Sequence, residues 1–366
     1  MNPLQQLVSL GQSPWLDYIR KDMLENGELQ QLVDQGLRGV TSNPTIFENA
    51  IAKSDLYTAD IERLAHEGRS TEQIYETLVF ADIARASDIL RPVYDESAGT
   101  DGFVSLEVPP ALCDDHVQSI TEGRRLWRTL ARPNLMIKVP ATDEGLLAIE
   151  QLISEGINVN VTLMFTIDDY HNVAEAYLRG LERRVERGEQ INGVASVASV
   201  FVSRVDAAVE ALATDDAAAA LLGKVAVANA RMIYRAFADT FGAERFHRLQ
   251  HKGAQIQRPL WASTGTKNPS LSDVHYIDEL IGPDTVNTMP PATLKAFADH
   301  GTARRTVDAH PLDDEGALAL CLEHGIDLAV IGADLKSRGL SLFADSFSSL
   351  MRTIEERRSA VSVSHN

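Results

Sequence analysis

The feature that most constrains the fold is a regular alternation between two kinds of apolar segment. Short runs rich in Val, Ile, Leu and Thr, which are typical of buried strands, are separated by longer stretches with apolar residues at helical spacing. The predicted strands are Pro14–Ile19, Gly39–Ser42, Phe103–Val108, Leu135–Val139, Val159–Phe165, Ala195–Val202, Leu260–Ser263 and Thr285–Thr288. Because a helix follows each strand and carries the chain back, the pattern predicts an α/β fold with a parallel sheet.

Eight such units predict a (β/α)8 TIM barrel, and the 366 residues exceed the roughly 250 that this fold usually needs. An open doubly wound sheet is the alternative, but no GxGxxG turn follows the first predicted strand. The helical spacing predicts helices over Ser70–Leu90, Asp143–Ser154, Asp168–Arg187, Ala207–Leu222 and Val225–Thr240.

The chain is predicted to form a single domain over residues 1–366, with two additions to the barrel. A helical insertion of two helices is expected at about 206–258, where Thr214 or Asp215 could cap an alanine-rich helix. A helical tail is expected at about 316–358, including a helix over Leu335–Arg358 and a frayed end over Ser359–Asn366.

The charge balance excludes some classes of partner. The chain has 34 Lys and Arg against 52 Asp and Glu, a net charge of −18, which disfavours binding to nucleic acids and to anionic membranes. Its two cysteines, Cys113 and Cys321, are far apart, which excludes a disulfide scaffold and fits a reducing compartment. With no bilayer-length apolar run and no visible signal peptide, we expect a cytoplasmic protein.

Polar side chains interrupt the apolar strands near their carboxyl ends, which is the end where TIM barrels carry their active sites. Burying such groups is costly unless they are paired or functional. These residues are Asp17 in the first strand, Glu107 in the third, Lys138 in the fourth, Asn160 and Thr162 in the fifth, and Ser199 in the sixth.

Lys138 allows two interpretations. It could form a purely structural buried ion pair with Asp17 or Glu107. Alternatively, a dry lumen favours the uncharged amine, which attacks a sugar ketone to form an imine that accepts electrons when a carbon–carbon bond breaks. Asp17 and Glu107 are then the candidates for moving protons.

Four further positions also have a structural and a functional interpretation. Asn43 precedes a proline and could be simple turn chemistry, whereas Asn160 inside a strand needs partners for both ends of its amide. The small-residue stretch 262–268, with Lys267, suits a phosphate or a plain surface turn. Arg204 could be a second phosphate ligand, or a surface arginine that pairs with Asp206.

Other catalytic patterns are not supported. His247 and His251 stand four residues apart, but no third ligand is near them in the sequence, so a solvated helix is favoured over a metal site. The chain has no GxSxG serine elbow.

Three motifs together resemble the transaldolase family: Gly39-Val-Thr-Ser-Asn-Pro-Thr-Ile-Phe47, Met136-Ile-Lys-Val-Pro-Ala-Thr142 and Gly156-Ile-Asn-Val-Asn-Val-Thr-Leu-Met-Phe165. Their order and approximate spacing agree, and the resemblance runs from about Trp15 to about Leu294. It implies transfer of a dihydroxyacetone unit from sedoheptulose 7-phosphate to glyceraldehyde 3-phosphate through a lysine Schiff base, in the pentose phosphate pathway. It also implies no metal and no organic cofactor; a homodimer is a further possibility.

Roles carried over by resemblance fall on residues already selected. Lys138 would form the imine, Asp17 would act as acid and base in carbon–carbon cleavage, and Glu107 with Thr162 would hold the proton-shuttling water. The substrate-binding set implied by the resemblance is Asn43, Asn160 and Ser199 for hydroxyls, with Arg204 for phosphate.

Three features separate this chain from parts of the family. The chain is longer than the shorter transaldolases and resembles the longer transaldolase subgroup. Shorter transaldolases carry an arginine after the seventh strand where this chain has Lys267, and fructose-6-phosphate aldolases carry a tyrosine where this chain has Phe201. A phenylalanine cannot activate water, which favours transfer over release of free dihydroxyacetone. The remaining alternatives are an aldolase of the same barrel class and a catalytically silent barrel that binds sugar phosphates.

Overall fold

The computed structural model describes residues 1–212, 221–309 and 311–363. Eight parallel strands pair in sequence order and close into a barrel, which confirms the predicted TIM barrel over the doubly wound alternative. The strands are β1 Gln12–Leu16, β2 Gly39–Val40, β3 Phe103–Glu107, β4 Leu135–Pro140, β5 Val159–Met164, β6 Ser196–Phe201, β7 Gln257–Ala262 and β8 Thr285–Met289.

Helices surround the barrel on its outer face. Those before β6 are α1 Pro3–Ser9, α2 Lys21–Glu25, α3 Glu28–Asp34, α4 Pro44–Phe47, α5 Thr58–His66, α6 Thr71–Glu96, α7 His116–Leu130, α8 Asp143–Ser154 and α9 Ile167–Glu186. After β6 come α10 Ser203–Leu212, α11 Val225–Gly242, α12 Glu244–Gln250, α13 His275–Asp278, α14 Pro291–His300, α15 Pro311–Glu323 and α16 Leu328–Val363.

Several predicted boundaries differ from the structure. The first strand runs over Gln12–Leu16 and not Pro14–Ile19, so Asp17 lies one residue beyond it, although its N–H still donates to the Met289 carbonyl at 2.8 Å. The second strand contains two residues instead of four, because Asn43 already caps α4.

The two predicted additions are helical. The described residues between β6 and β7 contain α10, α11 and α12, one helix more than predicted, and the tail contains α15 and α16. The predicted cap at Thr214 or Asp215 lies outside the described residues, as do 364–366 of the predicted frayed end. The helix α16 extends to Val363, beyond the predicted end at Arg358. The single-domain assignment stays a prediction.

The long helix α16 crosses the carboxyl end of the barrel. Its Lys336 amine donates to the Ala141 carbonyl at 2.8 Å, just past β4, and also pairs with Asp169 at the start of α9. Further along, the Ser346 hydroxyl lies 2.9 Å from that of Thr45, after β2. The helix therefore covers the end of the barrel at which the sequence places its polar residues.

Among the described residues no single helix is long and apolar enough to cross a bilayer, and only the bent pair Asp313–Glu323 and Leu328–Val361, meeting at 84°, reaches that length and hydropathy jointly.

A close approach between the first two strands depends on Gly39. The Trp15 ring is fully buried and lies against Gly39, where an added Cβ would be 2.4 Å from Trp15 Cε2. The Trp15 Nε1–H also donates to Asp101 Oδ1 at 3.0 Å, so the ring cannot turn away without losing a buried hydrogen bond.

Replacing Gly39 by Ala should therefore destabilise the barrel by about 1–3 kcal/mol through overpacking. The measurement is the free energy of unfolding from chemical denaturation. Gly316→Ala is the matched control, since nothing lies within 4 Å of that position in α15 and its stability should not fall. Equal stabilities for Gly39→Ala and the unchanged protein would contradict this packing account.

Candidate active site

A cavity of about 410 Å³ opens at the carboxyl end of the strands, beneath α16. Eight of the ten residues selected from the sequence line it: Asp17, Asn43, Lys138, Thr162, Ser199, Phe201, Arg204 and Lys267. The other two, Glu107 and Asn160, are not in its wall but contact residues that are. The structure thus brings all ten into one region of the barrel.

Lys138 is buried in the lumen between two polar neighbours in the barrel. The strand register places it beside Glu107 of β3 on one side and Asn160 of β5 on the other. Its Nζ lies 3.1 Å from Glu107 Oε2 and donates to the Ser42 carbonyl at 3.2 Å. The ion pair that the sequence analysis considered is therefore formed with Glu107, and the amine still faces the cavity.

The two carboxyl groups near this amine are both perturbed. Burial raises the pKa of Asp17, and Lys138 and a hydrogen bond from Thr41 partly offset that rise. Burial also raises the pKa of Glu107, again opposed by Lys138, while the negative charge of Asp17 adds to the rise. Carboxyl groups with raised pKa values beside an amine are suited to transferring protons near neutral pH.

One buried polar atom here, Thr162 Oγ1, has no hydrogen-bond partner within the described chain. Leaving such atoms unpaired costs on the order of 1–3 kcal/mol each, so they are normally satisfied by protein, water or ligand. Thr162 lines the cavity directly, and Glu107 reaches it through Lys138. The arrangement is suited to a water or a substrate hydroxyl.

The two asparagines are used differently. Asn43 caps α4, with its side-chain oxygen accepting the Ile46 N–H at 2.9 Å, so the turn interpretation is correct for that oxygen even though the residue lines the cavity. Asn160 has partners for both ends of its amide: it donates to Ser105 at 2.9 Å and accepts from Ser199 at 2.7 Å. Asn160 therefore orients Ser199 from behind the cavity wall.

Two basic residues, Arg204 and Lys267, also line the cavity. Burial lowers the pKa of Arg204, and partial desolvation together with the positive charge of Arg204 lowers the pKa of Lys267. No ion pair within the described ranges involves either residue, and Asp206 instead accepts hydrogen bonds from Tyr276 at 2.8 Å and the Ala226 N–H at 2.9 Å. The predicted pairing of Arg204 with Asp206 is thus not formed, and two unpaired cations remain available for an anion.

The described part of the chain offers no set of side chains that could bind a metal ion. No group of three or more His, Cys, Asp or Glu side chains that could hold a metal ion occurs there. His247 lies in α12 and His251 directly follows that helix.

Comparison with known proteins places the chain in a family. The model of the transaldolase/fructose-6-phosphate aldolase family matches residues 14–354. The chain belongs to this family. It is 45% identical over 97% of both chains to a protein of Nostoc punctiforme named transaldolase 2. It is also 45% identical to a transaldolase of Frankia alni over 97% of both chains, and 44% identical to one of Thermobifida fusca over 98% of this chain and 99% of the other.

Sequence reasoning missed some of the residues around this family's cavity. Thr41 donates to Asp17 Oδ1 at 2.7 Å, and its hydroxyl lies 2.6 Å from that of Thr288. Thr41 shares strand parity with Asn43, a signal that could have identified it. Phe343 of α16 also lines the cavity, and no signal in its surrounding helical sequence marks it.

The hydrogen bond from Thr41 favours the ionised form of Asp17, so removing it should raise the pKa of that carboxyl further. We expect Thr41→Val to move the Asp17 titration to higher pH. The measurement is a ¹³C NMR titration of the carboxyl carbon, assigned by its loss in Asp17→Asn. Thr41→Ser keeps the donor and should titrate as the unchanged protein does; an unmoved Thr41→Val midpoint would refute the role of this hydrogen bond.

Proposed function

We propose that the protein is a transaldolase that moves a dihydroxyacetone unit from sedoheptulose 7-phosphate to glyceraldehyde 3-phosphate through an imine on Lys138. The observation that carries this proposal is a buried amine paired at 3.1 Å with a buried carboxylate, in a cavity that Arg204 and Lys267 also line without an ion pair among the described residues. Near-full-length relatives named as transaldolases support the same conclusion.

Imine formation uses Lys138, Glu107 and Thr162. The Lys138 ammonium first gives a proton to Glu107, and the uncharged amine attacks the ketone carbon of the donor sugar. The attacking nitrogen passes one of its protons, through the shuttling water, to the former ketone oxygen, giving a carbinolamine. Protonated Glu107 then gives its proton to the carbinolamine hydroxyl, which leaves as water, and the protonated C=N bond forms. The unpartnered Thr162 hydroxyl is well suited to hold that water during both steps.

Carbon–carbon cleavage uses Asp17. As a carboxylate, Asp17 takes the proton from the hydroxyl on the second carbon along from the imine carbon. The bond between that hydroxyl-bearing carbon and the carbon next to the imine then breaks, and the first aldehyde leaves. The electron pair moves into the imine, giving an enamine bound to Lys138. Addition of the acceptor aldehyde reverses these steps, and hydrolysis of the new imine releases the product.

Substrate positioning falls to the remaining residues. Arg204 and Lys267 are the phosphate ligands, with Lys267 acting as a point charge where an arginine would offer two hydrogen bonds. Asn43 and Ser199 bind hydroxyls of the three-carbon unit, and Asn160 acts through Ser199, whose hydroxyl it accepts at 2.7 Å. A homodimer, a cytoplasmic location and the pentose phosphate pathway are expectations that accompany this assignment.

Two other functions are less well supported. The second activity in the family's name releases free dihydroxyacetone, which needs a group to activate water. Phe201 at this cavity offers only a phenyl ring, whose centroid lies 5.0 Å from the Arg204 guanidinium carbon. A silent sugar-phosphate binder would not need Lys138, Asp17 and Glu107 together in a buried site, since each adds a desolvation cost.

Reductive trapping tests the covalent step. Borohydride added with fructose 6-phosphate, itself a ketose donor, should inactivate the enzyme and add the mass of a reduced dihydroxyacetone unit at Lys138, read by peptide mass mapping. Lys267, the other amine in the cavity, is the internal control and should stay unmodified. Lys138→Arg should abolish labelling, whereas label on Lys267 would refute the assignment of the imine.

Removal of Arg204 or Lys267 should selectively weaken the use of phosphorylated substrates. Arg204→Ala and Lys267→Ala should each raise KM for phosphorylated acceptors about tenfold or more, since a charged hydrogen bond contributes about 1.5–3 kcal/mol. Activity with unphosphorylated glyceraldehyde should change little, and Lys267→Arg should retain phosphate binding. Equal losses for both kinds of acceptor would remove these residues from the phosphate site.

A further inference from the structure

A phenyl ring from outside the barrel covers the proposed nucleophile. Phe343 lies in α16, is 3% exposed, and lines the cavity that contains Lys138. The centroid of its ring is 5.6 Å from Lys138 Nζ. The sequence-selected groups that form the imine come from the barrel strands, whereas this contact comes from the tail.

The helix reaches the amine because its neighbouring positions allow close approach. One turn before Phe343, Gly339 faces the barrel, where an added Cβ would be 2.7 Å from Leu163 Cδ2. Leu163 has a positive φ of 60° at an irregularity in β5, so the backbone there has little freedom to move aside. Lys336 and Ser346 bind the barrel end on either side of Phe343.

The wall that faces the amine from α16 is apolar, in contrast to the wall formed by the strands. Thr41, Thr162 and Ser199 offer hydroxyls from the barrel, whereas Phe343 offers carbon alone. A water molecule between the ring and Nζ would find no hydrogen-bond partner on the ring. Binding of water at this position is therefore unfavourable.

We propose that Phe343 excludes water from the covalent intermediate and thereby determines how often it is transferred and how often it is hydrolysed. This inference rests on the proposed transaldolase function. After the first aldehyde leaves, the enamine must survive until the acceptor arrives. If the enamine carbon takes a proton first, water can add to the C=N bond, the C–N bond breaks, and dihydroxyacetone leaves with the amine regenerated.

The test measures two products in one reaction. Fructose 6-phosphate is supplied with erythrose 4-phosphate, and sedoheptulose 7-phosphate reports transfer while free dihydroxyacetone reports hydrolysis. Phe343→Ala should raise the ratio of hydrolysis to transfer roughly tenfold or more, because closure of a site over a reactive intermediate protects it from water. Phe343→Leu retains an apolar cover and should stay within about threefold of the unchanged protein.

Leu350→Ala is the matched control for loss of packing in α16. Leu350 lies two helical turns further on, is fully buried, and is not part of the cavity wall. Its truncation should lower the melting temperature and leave the product ratio unchanged. Should Phe343→Ala fail to fold, Phe343→Val opens part of the same space and should shift the ratio in the same direction.

The outcomes separate this proposal from the proposed function. An unchanged ratio in folded Phe343→Ala or Phe343→Val, or an equal shift in Leu350→Ala, would overturn the role of Phe343. If the unchanged protein forms neither sedoheptulose 7-phosphate nor a borohydride adduct at Lys138, the transaldolase assignment itself fails.

Discussion

The contact between Lys138 and Glu107 is the constraint on which the site depends. An amine and a carboxylate are held 3.1 Å apart where the side chains of both are about one-twentieth exposed. Desolvating two charges costs several kcal/mol, and their attraction repays that cost only when the geometry is good. The barrel can hold them because the register of β3 and β4 places the two residues side by side, so their side chains are already positioned to pair.

Two kinds of ionisable group lie around this pair, and burial perturbs the pKa values of both kinds. Beside the amine lie groups that can exchange protons, namely Asp17 and Glu107, whose pKa values are both raised by burial. The cavity is also lined by Arg204 and Lys267, whose pKa values are lowered by loss of solvent. In each case burial disfavours the charged form of the group.

The sequence was sufficient for the fold because the relevant signals are local. Alternation of strands and helices, and polar residues at period two on those strands, are visible without three-dimensional information, and both the barrel and the family were confirmed. The roles of individual residues stay predictions. Boundaries were less accurate: the assigned first strand ends at Leu16, one residue before Asp17, although the Asp17 N–H still donates to the Met289 carbonyl.

What the sequence could not reveal depends on contacts between distant segments. Nothing in the composition of α16 indicates that Phe343 covers Lys138, since an apolar residue on a helix normally indicates only an inward face. Nor could the sequence tell that Asn160 acts from behind Ser199. Such assignments require the crossing of one element over another, which pattern and propensity do not encode.

The position of α16 along the chain has a consequence for how the protein folds during its synthesis. All eight strands precede Leu328, and nascent chains begin to fold from the amino-terminal side while elongating at about 5–20 residues per second. The barrel strands can therefore be synthesised and begin to pair before the helix that covers Lys138 is made. Until Phe343 is in place, the Lys138 amine lacks the phenyl ring that lies over it in the folded protein.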